Sequence, residues 1–170
     1  MLARSTVAPE ATLLLISSGG RVWKGPLAWV AAGAPLTNGD RLVYAGAAQS
    51  GEYLILGTRR GNVKRVKVED ALNRADNSWS QIIGLEDEPD EVLFAGLAGD
   101  DAHVFFCTAA GEGSDARVLR FEAGTVNPQA TPSARGVTGI KLNDDTLVGR
   151  RGYSAGRRGR AGGALDPGFP

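Results

Sequence analysis

A single pattern recurs three times along this chain, and it constrains the fold more than any other feature. Ser17, Thr58 and Thr108 each end a short apolar run, 41 and then 50 residues apart. A glycine follows each by three residues (Gly20, Gly61, Gly111), and a return run beyond it carries a cation: Lys24, Arg65 and Arg120. Asp40, Asp90 and Asp145 then head a second kind of strand, 50 and then 55 residues apart. An apolar run, a glycine turn and a β-prone return run are the signature of a hairpin. A hairpin with two further short strands cannot bury both faces of its own sheet. Units with a period of roughly 45 to 50 residues must therefore stack side by side.

The second unit is the clearest. Tyr53 to Val68 reads YLILGTRRGNVKRVKV, with Arg59, Arg60, Lys64, Arg65 and Lys67 packed into one hairpin. Strand alternation puts Lys64, Val66 and Val68 on one side, and Val63, Arg65 and Lys67 on the other. The expectation is a hairpin that holds to a core while presenting positive charge at its turn and along its return strand. The first copy, Thr12 to Gly25, carries Arg21 and Lys24; the third starts at His103, has a longer turn and carries Arg117 and Arg120. Residues 68–75 read as an ordered loop, and Ser80 to Leu85 and Gly136 to Leu142 as short strands. The predicted fold class is all-β, propeller-like, with about three four-stranded repeat blades forming an incomplete disc. Residues 1–11 form a flexible lead-in, the blades span about 12–52, 53–102 and 103–149, and 150–170 is a disordered Gly/Arg-rich tail.

Twenty-four glycines and only 6% aromatic residues suit a turn-rich β fold. Nineteen basic and nineteen acidic residues balance, which argues against a protein that coats nucleic acid indiscriminately but permits a basic face. The tail holds Arg150, Arg151, Arg157, Arg158 and Arg160 against one acid, leaving the rest at a net charge of about −4. One cysteine, Cys107, and one histidine, His103, exclude an intrachain disulfide and do not make a zinc site. The acidic clusters sit at turns, where Asp is favoured for local hydrogen bonds. No glycine string matches a nucleotide-binding loop. The expectation is a chain with no catalytic residue, metal or cofactor. Leu13 to Ile16 is too short to span a membrane, so the reading is cytoplasmic.

The string Leu56-Gly57-Thr58-Arg59-Arg60-Gly61-Asn62-Val63-Lys64-Arg65 resembles the blade signature of the C-terminal domain of the bacterial DNA gyrase A subunit and its topoisomerase IV relative. Gly136-Val137-Thr138-Gly139-Ile140-Lys141-Leu142 followed by Asp145-Thr146-Leu147-Val148-Gly149 is similar to that family's closing pieces. The resemblance covers roughly residues 12 to 149. It implies a β-pinwheel, a propeller-like disc whose blades swap strands with their neighbours and whose rim binds and bends DNA. The Gln-Arg-Arg-Gly-Gly-Lys-Gly box of gyrase-type wrapping is missing; the nearest strings, Arg150 to Gly152 and Arg157 to Gly163, lie at the C-terminus.

Together these features predict a non-catalytic DNA-binding or DNA-bending accessory domain of a type IIA topoisomerase, associated with the nucleoid. Its DNA contacts would be Arg21, Lys24, Arg59, Arg60, Lys64, Arg65, Lys67, Arg117, Arg120 and the five tail arginines, gripping phosphates without sequence specificity. Double-stranded DNA is the expected partner, with the topoisomerase catalytic core beside it. Open blade edges invite a homodimer. The competing reading is a propeller-like protein interaction module with no DNA role.

Overall fold

A computed structural model of the chain describes residues 8–31, 36, 39–48, 52–86, 89–109 and 115–142. The tail arginines, Gly111 and the closing strand expected at 145–149 lie outside the described residues. Strands run Thr12–Ser17 (β1), Arg21–Pro26 (β2), Leu42–Ala47 (β3), Tyr53–Thr58 (β4), Asn62–Lys67 (β5), Ser80–Gln81 (β6), Val92–Ala98 (β7), His103–Cys107 (β8), Val118–Glu122 (β9) and Val137–Thr138 (β10). Short helices Leu27–Ala31 (α1) and Val68–Leu72 (α2) follow β2 and β5, and a 3-10 turn, Ala123–Thr125, follows β9.

The sheets are antiparallel and ordered β3-β1-β2-β6 and β7-β4-β5-β10, with β8-β9 as a third, two-stranded sheet. The first two follow one plan. A hairpin lies in the middle, the later strand of the same unit flanks it on one side, and a strand from the following unit closes the other. β6 belongs in sequence to the second unit yet pairs with β2 of the first, and β10 of the third pairs with β5 of the second. This is the strand exchange of a β-pinwheel. Even the irregularities repeat, with a register shift at Ile16/Ser17 in one sheet and at Gly57/Thr58 in the next.

The hairpin turns hold the exchange in place. Gly20 and Gly61 have φ of +74° and +81°, a left-handed conformation that glycine adopts without steric cost. This turns each carbonyl towards the following unit. Gly20 O accepts from Ile82 N (2.9 Å) and Ile83 N (3.3 Å), and Gly61 O from Gly139 N (2.9 Å) and Ile140 N (3.1 Å). A Cβ on Gly61 would sit 2.4 Å from the Ile140 carbonyl oxygen.

The core lies between the sheets, in two clusters. Leu14, Ile16 and Val22 of the first unit pack with Leu54, Leu56, Val66, Ile82 and Val92 of the second. Ile55 and Val63, on the opposite face of the second sheet, pack with Val104, Phe106, Ala123 and Ile140. Both faces of the middle sheet are therefore interior, which is why Leu54, Ile55 and Leu56 are consecutive apolar residues rather than an alternating series. Each such side chain contributes about 1.5–3 kcal/mol by leaving water.

Residues 68–72 correct the loop expectation. Val68 and Ala71 are both fully buried in the first cluster. Residues three apart share a helix face, so one helical turn buries both, and the tertiary gain outweighs the polar residues that follow.

Replacing Gly61 with Ala is expected to cost about 2–4 kcal/mol, from the strained φ and the clash with the following unit. The same change at Gly96, where an added Cβ meets nothing within 4 Å, should stay within about 1 kcal/mol. Denaturant unfolding of the two variants checks this difference.

Candidate nucleic-acid interface

The hairpin cations split into two populations. Lys64 and Arg65, expected on a solvent-facing strand, are 1% and 4% exposed. The alternation placed them on opposite sides correctly, but both sides are interior.

Lys64 points into a cage of carbonyls. Its ammonium donates to Ile82 O (2.8 Å), Thr131 O (2.6 Å) and Ala134 O (3.1 Å), which uses all three protons. Burial, reinforced by the charge of Arg74, lowers its pKa to about 8. Arg65 lies over the Tyr53 ring, 3.5 Å from the centroid. It donates to Val126 O (3.1 Å) and pairs with Asp100. Gln129 N donates back to Arg65 O at 2.8 Å.

The cation recurring in each return strand has a common address. Lys24, Arg65 and Arg120 stand opposite Leu14, Ile55 and Phe105 in their hairpins. Lys24 donates to Leu72 O (2.5 Å), the last residue of α2, and pairs with Asp76 at 2.9 Å. Arg65 reaches the carbonyl of Val126, just beyond the Ala123–Thr125 turn. Each therefore ties its own hairpin to the short helical segment of the following unit. Arg120 is exposed and lies over Phe105 at 5.9 Å.

At the turns, Arg59 and Arg41 both pair with Glu91. Burial alone would raise the Glu91 carboxyl, but hydrogen bonds from Arg59 and then Arg41 outweigh it and hold it below the ordinary carboxylate range. Arg60 is exposed, and its backbone N–H donates to Asp90 Oδ1 at 3.1 Å. Arg21, Lys67 and Arg117 are also exposed, and an Arg117 guanidinium nitrogen donates to Lys141 O at 2.9 Å. Sequence reasoning omitted Arg41, Arg135 and Lys141, all exposed. Arg41 was legible from its place directly after the repeat aspartate Asp40. Lys141 was legible from its place between Ile140 and Leu142, both turned inward. No group of three or more potential metal ligands occurs among the described residues, and no helix there is long and apolar enough to cross a membrane.

Replacing Lys64 with Met removes a donor from each of three carbonyls, of which Thr131 O and Ala134 O keep backbone donors in Ala134 N and Gly84 N, and should cost about 1–3 kcal/mol. The pH dependence gives a second readout. The unfolded lysine keeps its proton to about 10.5, whereas the folded one releases it near 8. The unfolded state thus binds more protons in that window, and stability contributed at this site rises as pH increases from about 8. Unfolding curves from pH 7 to about 9.5 should show this rise in the parent and its absence in Lys64→Met.

A family model described as DNA gyrase C-terminal domain, beta-propeller, matches residues 52–73 and 113–149. No curated protein sequence matches the chain. Among solved structures, the C-terminal domain of DNA topoisomerase IV aligns with a TM-score of 0.72 at 20% identity, covering 86% of this chain and 48% of the other. The DNA gyrase A C-terminal domain aligns with a TM-score of 0.62 at 20% identity, covering 84% and 48%. The E. coli ParC C-terminal domain gives 0.65 at 14% identity, covering 83% and 61%. The chain spans about half the length of the first two structures. In two sequence segments and in the fold of its described body, it resembles the C-terminal β-propeller domains of gyrase A and topoisomerase IV.

Proposed function

We propose that this chain is an accessory DNA-binding unit of a type IIA topoisomerase, acting on duplex DNA beside a separate catalytic core and carrying no catalytic group itself. The observation that carries this reading is the match to the gyrase family model in the unit with the basic hairpin. Supporting it, Arg21, Arg60, Lys67, Arg117 and Arg120 remain exposed. Cations spread over several strands and turns suit phosphate contact and offer no recognition helix for base edges, so the binding is non-specific in sequence. The tail arginines add electrostatic attraction. Lys64 and Arg65 drop out of the contact set in this reading, because both are committed to the interior. The unit works at the nucleoid.

The competing reading is a protein interaction module, and one observation favours it. The turn-level arginines Arg41 and Arg59 are neutralised in part by Glu91, which lowers the field available to phosphate.

A salt-titrated gel shift with random-sequence duplex separates the two. Under the DNA reading, affinity falls about 100-fold or more between about 50 and about 200 mM salt. Charge reversal at Arg60 and Lys67 together should weaken binding and flatten the salt slope by about 2. Absence of binding at about 50 mM salt would leave the interaction module standing.

A further inference from the structure

We infer that Arg41 and Arg59 form a two-guanidinium clamp for a phosphate group, and that Glu91 holds it shut as a built-in competitor. The inference rests on the DNA reading above for the source of that phosphate, the duplex backbone. The clamp itself rests on geometry that spans two units.

The three residues come from three strand ends. Arg41 immediately precedes β3 of the first unit, Arg59 follows β4 of the second, and Glu91 precedes β7. Backbone bonds fix where each side chain starts. The Ser18 hydroxyl accepts from Arg41 N (2.9 Å), Ser18 N donates to Arg41 O (2.8 Å), and Ser18 O accepts from Val92 N (2.8 Å). Arg59 N donates to Glu91 O at 2.8 Å. The side chains therefore meet from a braced frame, and little further ordering is needed when an anion enters.

One oxygen of the Glu91 carboxylate accepts from Nε (3.1 Å) and an Nη of Arg59, and the other from an Nη of Arg41. Each oxygen has its own guanidinium. A phosphodiester offers the same pair of charged oxygens on one centre, and guanidinium forks suit it. The neighbouring aspartates are used differently. Asp90 accepts from the backbone amides of Arg60 (3.1 Å), Glu86 (3.0 Å) and Glu91 (3.0 Å), and Asp40 from the Ser17 hydroxyl (2.7 Å). Those carboxylates brace turns, whereas that of Glu91 is spent on cations across the boundary between units.

The clamp is accessible. The side chains of Arg41 and Arg59 are 61% and 39% exposed, and an exposed ion pair is weakly held and screened by salt. Lys64 and Arg65, buried on carbonyls, cannot be released in this way. Arg60, exposed beside Arg59, adds charge at the same turn. A phosphate that displaces Glu91 gains both guanidiniums and leaves the carboxylate to water. The tethered carboxylate competes at high local concentration, so a lone phosphate competes poorly, and a duplex with rows of phosphates competes well.

The test compares the full chain with Glu91→Gln, which keeps the shape and removes the charge. Inorganic pyrophosphate is titrated while the Nε–H signals of Arg41 and Arg59 are followed by NMR, and random-sequence duplex is titrated at several salt concentrations. Glu91→Gln should bind pyrophosphate at least about 10-fold more tightly than the parent. Its duplex affinity at about 50 mM salt should rise at least about 10-fold, with a salt slope steeper by about 1 to 2. Adding Arg41→Gln and Arg59→Gln should abolish both gains, which a mere change of net charge does not predict. Circular dichroism confirms folding, and Glu91→Ala opens the same clamp should the glutamine variant not fold. Pyrophosphate affinity indifferent to Glu91→Gln, or a gain that survives loss of both arginines, overturns the proposal. Duplex binding indifferent to Glu91→Gln also overturns it and leaves the DNA reading standing. A pyrophosphate gain with no duplex binding in any variant supports the clamp and sinks the DNA reading.

Discussion

The unpaired edge of the return strand is the constraint on which the structure depends. A hairpin such as β1–β2 leaves a row of amides and carbonyls open, and a two-stranded unit is marginal alone. The chain resolves this by passing a short strand back from the following unit. The strand itself is only two residues long. Its grip comes from the glycine carbonyl at the turn, which accepts two amides from the incoming segment in both sheets. The isoleucines that follow those amides then fill the space between the units. Strand exchange and core packing are thus one event.

This explains what the buried cations do. A propeller-like stack has polar seams wherever helical turns end against a neighbouring sheet. Carbonyl groups there need donors, since an unsatisfied buried group costs about 1–3 kcal/mol. Lys24 and Arg65 join their hairpins to the next helical segment in this way, and Lys64 donates to three carbonyls of the following segments, Ile82 O, Thr131 O and Ala134 O, with one side chain. An ammonium held this way carries a desolvation cost, seen in its lowered pKa. Long side chains reach across a seam that no apolar residue could satisfy. The repetition of a cation at one level of each unit therefore follows from the assembly of the stack, and a DNA-facing rim is not needed to account for it.

Much of this was legible in the residues. Ser17, Thr58 and Thr108 with their glycines gave the units, and the alternation around Val63 gave the two sides of β5. What alternation cannot report is whether a side faces water. In a single sheet one side usually does, and the charged residues at 64 and 65 invited that reading. Once units stack, both sides are interior, and only the partner carbonyls at 82, 126, 131 and 134 decide where a cation goes. Those partners lie 18 to 70 residues away, beyond any local pattern. The α2 turn was hidden for a related reason: Val68 and Ala71 are held by neighbours from another unit, against the preference of Asn73 and Ser78.

The central claim is that Arg65 couples neighbouring units. Amide hydrogen exchange in Arg65→Met, residue by residue, tests it most directly. The account predicts that Val126 and Gln129 lose protection by tens of fold or more, while amides of β1 and β2 keep theirs. Unchanged protection at Val126 and Gln129 would contradict it.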